Sequence, residues 1–298
     1  MADLALSVQP PEGASPPLHE VGRRVRAFYA QYPFPTYEPT DSPGVLAEKA
    51  QAGVFASLLD RQIPYNARIL DAGCGTGQLP IFLSLPGRRT VGIDFSLPSL
   101  MEGRRFVHRF SLKDVDLIQM DLFMLGLKDE SFDYVITTGV LHHTADPYRV
   151  FQGLCGLLRP GGYILIGLYN RYARIPTMLR RWIFRRTGRR FEWLDSVLRH
   201  GRDEAKKHIW FADQYANPHE TVHTVDEVMQ WFAANEIECM GVVPSLTPGA
   251  PLTPADRPFE PVPMGKPLGR VLGQLVWMFT IGREGGLFVM IGRRVVSA

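Results

Sequence analysis

Short apolar runs alternate with amphipathic stretches along most of this chain. One run leads into Asp71, a second ends at Asp94, and others fill 115–119, 131–138 and 163–168. Each is bounded by turn formers and too short for a helix, which predicts buried strands. Residues 78–84 read as the first helix of this series, and Leu158-Arg159-Pro160-Gly161-Gly162 as a helix stop and tight turn. Thr224 caps a further helix through Asn235, with Glu227 completing a capping box. Residues 237–243 and 286–295 read as a sixth and a seventh strand. Between them an apolar helix at 268–281 follows a proline-rich loop; it packs on the sheet, covers a cavity or forms a dimer face. Strands alternating with helices predict an α/β fold.

Ahead of the first strand the pattern changes. Residues 1–18, rich in Pro, Ser, Ala and Gly, are expected to be a disordered tail. Val21, Val25, Phe28 and Tyr29 recur at helical spacing, and 44–63 reads as a second helix. Between them Pro33 and Pro35 hold an aromatic loop extended. Its residues Tyr32, Phe34 and Tyr37, with Tyr29, either line a pocket or pack a helical cap onto the core.

The run Ile69-Leu70-Asp71-Ala72-Gly73-Cys74-Gly75-Thr76-Gly77-Gln78 joins the first strand to the first helix. Its three glycines let the backbone turn and approach a ligand where a Cβ would collide, and the helix N-terminus offers free N–H groups. Asp94 stands 21 positions past Gly73, where a doubly wound sheet places the acid that binds ribose hydroxyls. A dinucleotide fingerprint wants its third glycine at the sixth position of the motif, which here is Gln78. Glycine at the fifth position and a polar side chain at the sixth suit a nucleoside with a zwitterionic amino-acid end.

At this point the chain resembles the class I S-adenosylmethionine-dependent methyltransferases, whose first motif is this Asp-x-Gly-x-Gly-x-Gly turn. The likeness is close over 67–170 and looser over 219–243 and 285–296. It implies a Rossmann-like, doubly wound sheet of seven mostly parallel strands with the last antiparallel. It also implies S-adenosylmethionine as cofactor, bound by Asp71, Gly73, Cys74, Gly75, Gly77, Gln78, Asp94, Phe95, Ser96, Asp121, Leu122, Thr138 and Gly139. Asp121 and Leu122 match the positions that meet the adenine. Within the family the ubiquinone and menaquinone methyltransferases, which place a histidine near the sulfonium, are the nearest in kind.

Composition fits one domain of 298 residues with 45% apolar content. The expected layout is a cap at 19–66, a cofactor core at 67–170, a basic insertion at 171–215 and the rest of the sheet at 216–298. No run of about 18 uncharged apolar residues and no secretory signal is found. Cys74, Cys155 and Cys239 are isolated, without disulfide or metal-ligand spacing, and read as reduced thiols of a cytoplasmic protein. No metal is expected.

Residues 171–202 hold ten arginines against Glu192 and Asp195, a local +8 in a chain of net +3. Met178, Leu179, Trp182 and Ile183 share one helical face among them. Arg185 and Arg186 are candidates to meet an anionic substrate from a lid. Contact with the inner face of an anionic membrane is the second reading, and a solvated basic face the plain one. Nucleic acid is disfavoured, since no RNA-binding module accompanies the patch.

The chemistry is lightly marked. Methyl transfer needs an aligned nucleophile and dry surroundings, and a base only where the acceptor loses a proton. His142 and His143, after the fourth strand, are candidate bases; the alternative is that one packs and the other caps a helix near Pro147. Tyr169, Asn170 and His219, the last in a polar-aromatic loop expected at 209–220, are further substrate candidates. The expected acceptor is small or lipophilic. Non-methyl transfer with the same cofactor, and cofactor binding without turnover, are the alternatives.

Overall fold

Seven strands, β1 (Arg68–Ala72), β2 (Arg89–Asp94), β3 (Val115–Gln119), β4 (Phe132–Thr138), β5 (Leu158–Tyr169), β6 (Ile237–Val243) and β7 (Leu287–Arg294), form one sheet. The computed structural model describes residues 18–31, 36–201 and 203–296. Of the tail expected at 1–18, residues 1–17 lie outside them and Leu18 starts the first helix; Tyr32, Phe34 and Arg202 also lie outside. The strand order is β3-β2-β1-β4-β5-β7-β6. β7 runs antiparallel to β5 and β6, and the other pairings are parallel.

Parallel strands covered on both faces carry apolar side chains at nearly every position. Leu70, Val135 and Ile164 face one layer of the core, and Ile69, Ile136 and Leu165 the other; all six are fully buried. Each such side chain contributes roughly 1.5–3 kcal/mol.

The helices in chain order are α1 (Leu18–Gln31), α2 (Pro43–Gln51), α3 (Val54–Gln62), α4 (Gln78–Ser84), α5 (Leu97–Arg109), α6 (Pro147–Leu157), α7 (Ile175–Thr187), α8 (Ser196–His200), α9 (Glu204–Phe211), α10 (Val225–Ala234) and α11 (Pro267–Trp277). The capping box on α10 is present: Thr224 Oγ1 accepts from Glu227 N–H, and Glu227 accepts from Thr224 N–H. α6 is capped by Asp146 rather than by a histidine.

Three expectations change. The helix expected over 44–63 is two helices, because Gly53 adopts an extended conformation and starts α3. Strand five begins at Leu158 instead of Tyr163, with a register shift at the turn that had read as a break. The stretch read as a polar-aromatic loop at 209–220 is helical through a wide turn, Ala212–Ala216. Phe211 and Tyr215 bury there against Phe184 and Leu198, a small core of long-range partners that local periodicity does not reveal. α11 packs on the sheet: Trp277 is buried 5.8 Å from Phe288, and its Nε1 donates to Ser245 O. No helix among the described residues is long and apolar enough to cross a membrane.

Candidate functional site

A cavity of about 1550 Å³ opens at the carboxyl ends of β1, β2, β4 and β5. Strand order reverses between β1 and β4, where an open α/β sheet leaves a crevice. Asp71, Gly73, Cys74, Gly75, Gln78, Asp94, Phe95, Asp121, Leu122, Thr138 and Gly139 all line it. Gly73, Gly75 and Gly77 adopt φ of 85°, 57° and 79°, so the turn needs residues without a Cβ. A Cβ on Gly73 would also lie 2.4 Å from Val140.

Gly77 and Ser96 stand behind the cavity wall. Gly77 starts α4 and abuts Leu117, while Ser96 is buried as the cap of α5. Cys74 is inert: burial, with Asp71 and Asp94 nearby, pushes its thiol well up. Gln78 donates to Thr36 O at 3.0 Å and so ties the N-terminal segment to the turn.

Two carboxylates meet at the turn. Asp94 Oδ2 accepts from Gly75 N–H at 2.9 Å and Oδ1 from Ser96 N–H at 2.8 Å, which fixes its plane. Burial nonetheless raises its pKa. Asp71 is 5% exposed and, among the described residues, has no hydrogen-bond donor. Burial first, then Asp94, push it up to about 7. A nearly buried carboxylate without a donor is complementary to a cation bearing N–H groups. Asp121, at the cavity rim, accepts from Phe123 N–H at 2.9 Å.

The far half of the cavity is built by β5, α1 and the insertion. His143 is 4% exposed there, and its Nδ1 lies 2.8 Å from His219 O. A carbonyl only accepts, so Nδ1 carries the proton and Nε2 the lone pair. Burial lowers the pKa of His143 despite the opposing pull of Asp213, so burial favours the neutral ring. The loop that presents His219 O is pinned by His219 Nε2 at 3.0 Å from Thr144 O and by Thr221 N–H donating to His142 O.

His142 is fully buried outside the cavity, its ring tilted against Tyr169 at 3.9 Å, and among the described residues neither ring nitrogen has a hydrogen-bond partner. Burial holds its pKa well below 6.5; Gly167, whose backbone favours the charged ring, already has its carbonyl bonded to Gly139 N–H. Of the two histidines only His143 meets the cavity.

Other candidates sort by burial. Tyr169 lines the cavity, and its hydroxyl accepts from Gln214 Nε2 at 3.1 Å. Asn170 is buried away from it, bonding Gln274, Tyr172 N–H and Ala173 N–H. Tyr37 stacks on Phe106 at 4.5 Å and donates to Thr76 O, which makes it a clamp on the turn. His219 acts through its backbone. Arg185 and Arg186 lie on the exposed side of α7, outside the cavity. The arginines that do turn inward are Arg174, Arg180 and Arg181, which pair with Glu220 and Asp195.

Val197, Ile209 and Trp210 of the insertion line this far half, with Tyr29, Asp213 and Gln214 as its polar groups. Tyr29 donates to Asp213 Oδ1 at 3.3 Å and accepts from Asn217 Nδ2, and Gln214 Nε2 donates to Asp213 Oδ2 at 2.8 Å. Sequence reading passed over Asp213 and Gln214. Their signal was the mixed polar and aromatic run at 209–220, which lacks periodicity because it turns as a wide helical coil.

Acid-tipped parallel strands around a glycine turn define an α/β protein that binds a nucleoside cofactor. Residues 70–166 match the methyltransferase domain family. An uncharacterised protein of Synechococcus sp. is 27% identical over 249 residues, 74% of this chain and 60% of that protein. A ubiquinone biosynthesis O-methyltransferase of Paracidovorax citrulli is 32% identical over 110 residues, 36% of this chain and 45% of that one. The chain thus spans about half the length of these curated relatives. Among solved structures, the magnesium protoporphyrin IX methyltransferase of Synechocystis, with bound SAH, has a TM-score of 0.50 at 14% identity, covering 93% of this chain and 95% of its own. Fold and family match identify residues 70–166 as a class I S-adenosylmethionine-dependent methyltransferase domain.

Proposed function

We propose that this chain moves a methyl group from S-adenosylmethionine to a small or lipophilic acceptor, with His143 as the base. The observation that carries the reading is the near-buried, donor-less Asp71 in a cavity of about 1550 Å³. Asp71 would hold the ammonium of the methionine end, Asp94 the ribose hydroxyls, and Asp121 and Leu122 the adenine edge. Bound there, the cofactor supplies an electrophilic methyl group.

The remaining work belongs to the chain. Sites for drug-sized ligands occupy about 300–1000 Å³, so this cavity has room for an acceptor beside a cofactor. Val197, Ile209 and Trp210 give that half an apolar wall that excludes water. Tyr29 and Asp213 offer hydrogen bonds that orient a polar end. His143 Nε2 takes the proton that a hydroxyl or amine loses as it is methylated. The name of the Paracidovorax citrulli relative, a quinone-pathway O-methyltransferase, supports an acceptor of this kind.

Calorimetry and label transfer test the reading. Asp94→Ala should weaken S-adenosylmethionine binding by about 2–3 kcal/mol, as for lost hydrogen bonds to a charged group. Labelled methyl from the cofactor should then appear in a compound of a cell extract, identified by mass spectrometry. Tighter binding of NAD than of S-adenosylmethionine would sink the cofactor assignment, and binding without label transfer would reduce the chain to a cofactor-binding protein.

A further inference from the structure

The insertion wears an apolar stripe on the side where a surface helix should be polar. On α7, Thr177 and Phe184 are buried against the body, yet Ile175, Met178, Leu179 and Trp182 on the opposite side are each 44–58% exposed. All four share one line at three- and four-residue spacing. At the C-terminal end of that line Arg186 stacks on Trp182 at 4.7 Å, and Arg185 and Arg190 are exposed beside it. Among the described residues these three arginines form no ion pair, in contrast to the inward-facing Arg174, Arg180 and Arg181. A second outward stripe, Leu268, Leu272 and Leu275, runs along α11, and Phe279 continues it just past the helix end. The turn that follows it touches α7, with Arg180 donating to Gly282 O at 3.1 Å.

We propose that this face rests on an anionic lipid surface. Four apolar side chains in line expose hydrocarbon to water at a cost that the acyl boundary of a membrane removes. Tryptophan and arginine suit that boundary, because each has an apolar body and a polar or charged tip. Unpaired guanidinium groups around the stripe match lipid phosphates in charge and fork geometry. Lipid contact stands independently of the proposed reaction. Its consequence rests on that reaction: the same insertion lines the acceptor half of the cavity, so an amphiphilic acceptor would be collected where it resides.

Sedimentation with vesicles tests this on the full chain. The probes are phosphatidylcholine alone and phosphatidylcholine with roughly one-third phosphatidylglycerol, at about 0.1 M and 0.5 M salt. The chain should bind the anionic vesicles at low salt, release them at high salt and ignore the neutral ones. Leu179→Glu with Trp182→Glu, and separately Arg185, Arg186 and Arg190 to Gln, should each weaken binding at least tenfold. S-adenosylmethionine affinity, read by calorimetry, should stay unchanged in both variants and certifies that they fold. Absence of binding, equal binding to neutral vesicles, or binding that both variants retain overturns the proposal. So does a concentration-dependent dimer that Trp182→Glu abolishes, since the stripe would then be covered by a second copy.

Discussion

Asp71 is placed where its charge is costly without a ligand. Burial and the neighbouring Asp94 raise its pKa to about 7, so folding loses stability as pH rises from the unfolded value near 4 towards 7. Asp71→Asn keeps the shape and removes the charge. The variant should therefore melt several degrees higher than the parent at pH 8, with the gain vanishing near pH 4, yet bind S-adenosylmethionine at least tenfold more weakly. A variant that is both less stable and equally competent in binding would contradict this account. His143 is argued the same way. Its neutral ring and fixed tautomer predict an acid limb below pH 6.5 in the rate profile, and His143→Ala should abolish that limb and slow turnover by about 10²–10⁴-fold. His142→Ala, outside the cavity, should lower stability while keeping the acid limb.

Among the elements, a buried ion pair helps to hold the insertion to the sheet. Arg174, fully buried, is gripped by both oxygens of Glu220, donates to Gly285 O at 2.9 Å and to Gln214 Oε1, and lies 3.8 Å over the Tyr169 ring. Arg181 joins at 2.7 Å from Glu220. Although burial alone would raise it, these two guanidinium groups bring Glu220 down to about 2. Its stabilising share is present above the unfolded pKa near 4.5 and is lost as pH falls towards 2. Glu220→Gln leaves a buried guanidinium uncompensated, at a cost of about 3–5 kcal/mol. Calorimetric melting at pH 7 should show the drop, and the gap between variant and parent should close between pH 4.5 and 2. An unchanged gap over that range would show that the pair does not hold the insertion.

At the scale of the whole molecule, the cavity is divided between the sheet and its additions. One half, where we propose the cofactor binds, is built from strand ends, and the other, proposed for the acceptor, from α1 and the insertion. Ile209→Trp adds volume into open space rather than into packed core, so it should leave stability and cofactor affinity nearly unchanged. Its effect should fall on bulky acceptors, raising their KM at least tenfold while small ones are spared. Steady-state kinetics over an acceptor size series would reveal this, and equal loss for all sizes would place the acceptor elsewhere.

The glycine turn, the carboxylates at Asp71, Asp94 and Asp121, and the strands around them were determined by the sequence alone, because each depends on contacts within a few residues or on a fixed spacing. Strand periodicity, a turn that needs left-handed φ and the capping box at Thr224 are local physics. The tertiary structure decided which of two adjacent histidines meets the cavity, since that choice depends on His219 O arriving from a loop 76 residues away. Among the described arginines of the insertion it also separated Arg174, Arg180 and Arg181, turned inward onto Glu220 and Asp195, from Arg185, Arg186 and Arg190, left facing outward. A run of arginines reads the same along the chain whether its partners are acids of the fold, a ligand or water; only their positions in space distinguish these cases. Asp213 and Gln214 became site residues for a similar reason: the wide turn that carries them is held by burial of Phe211 and Tyr215, which no periodicity announces.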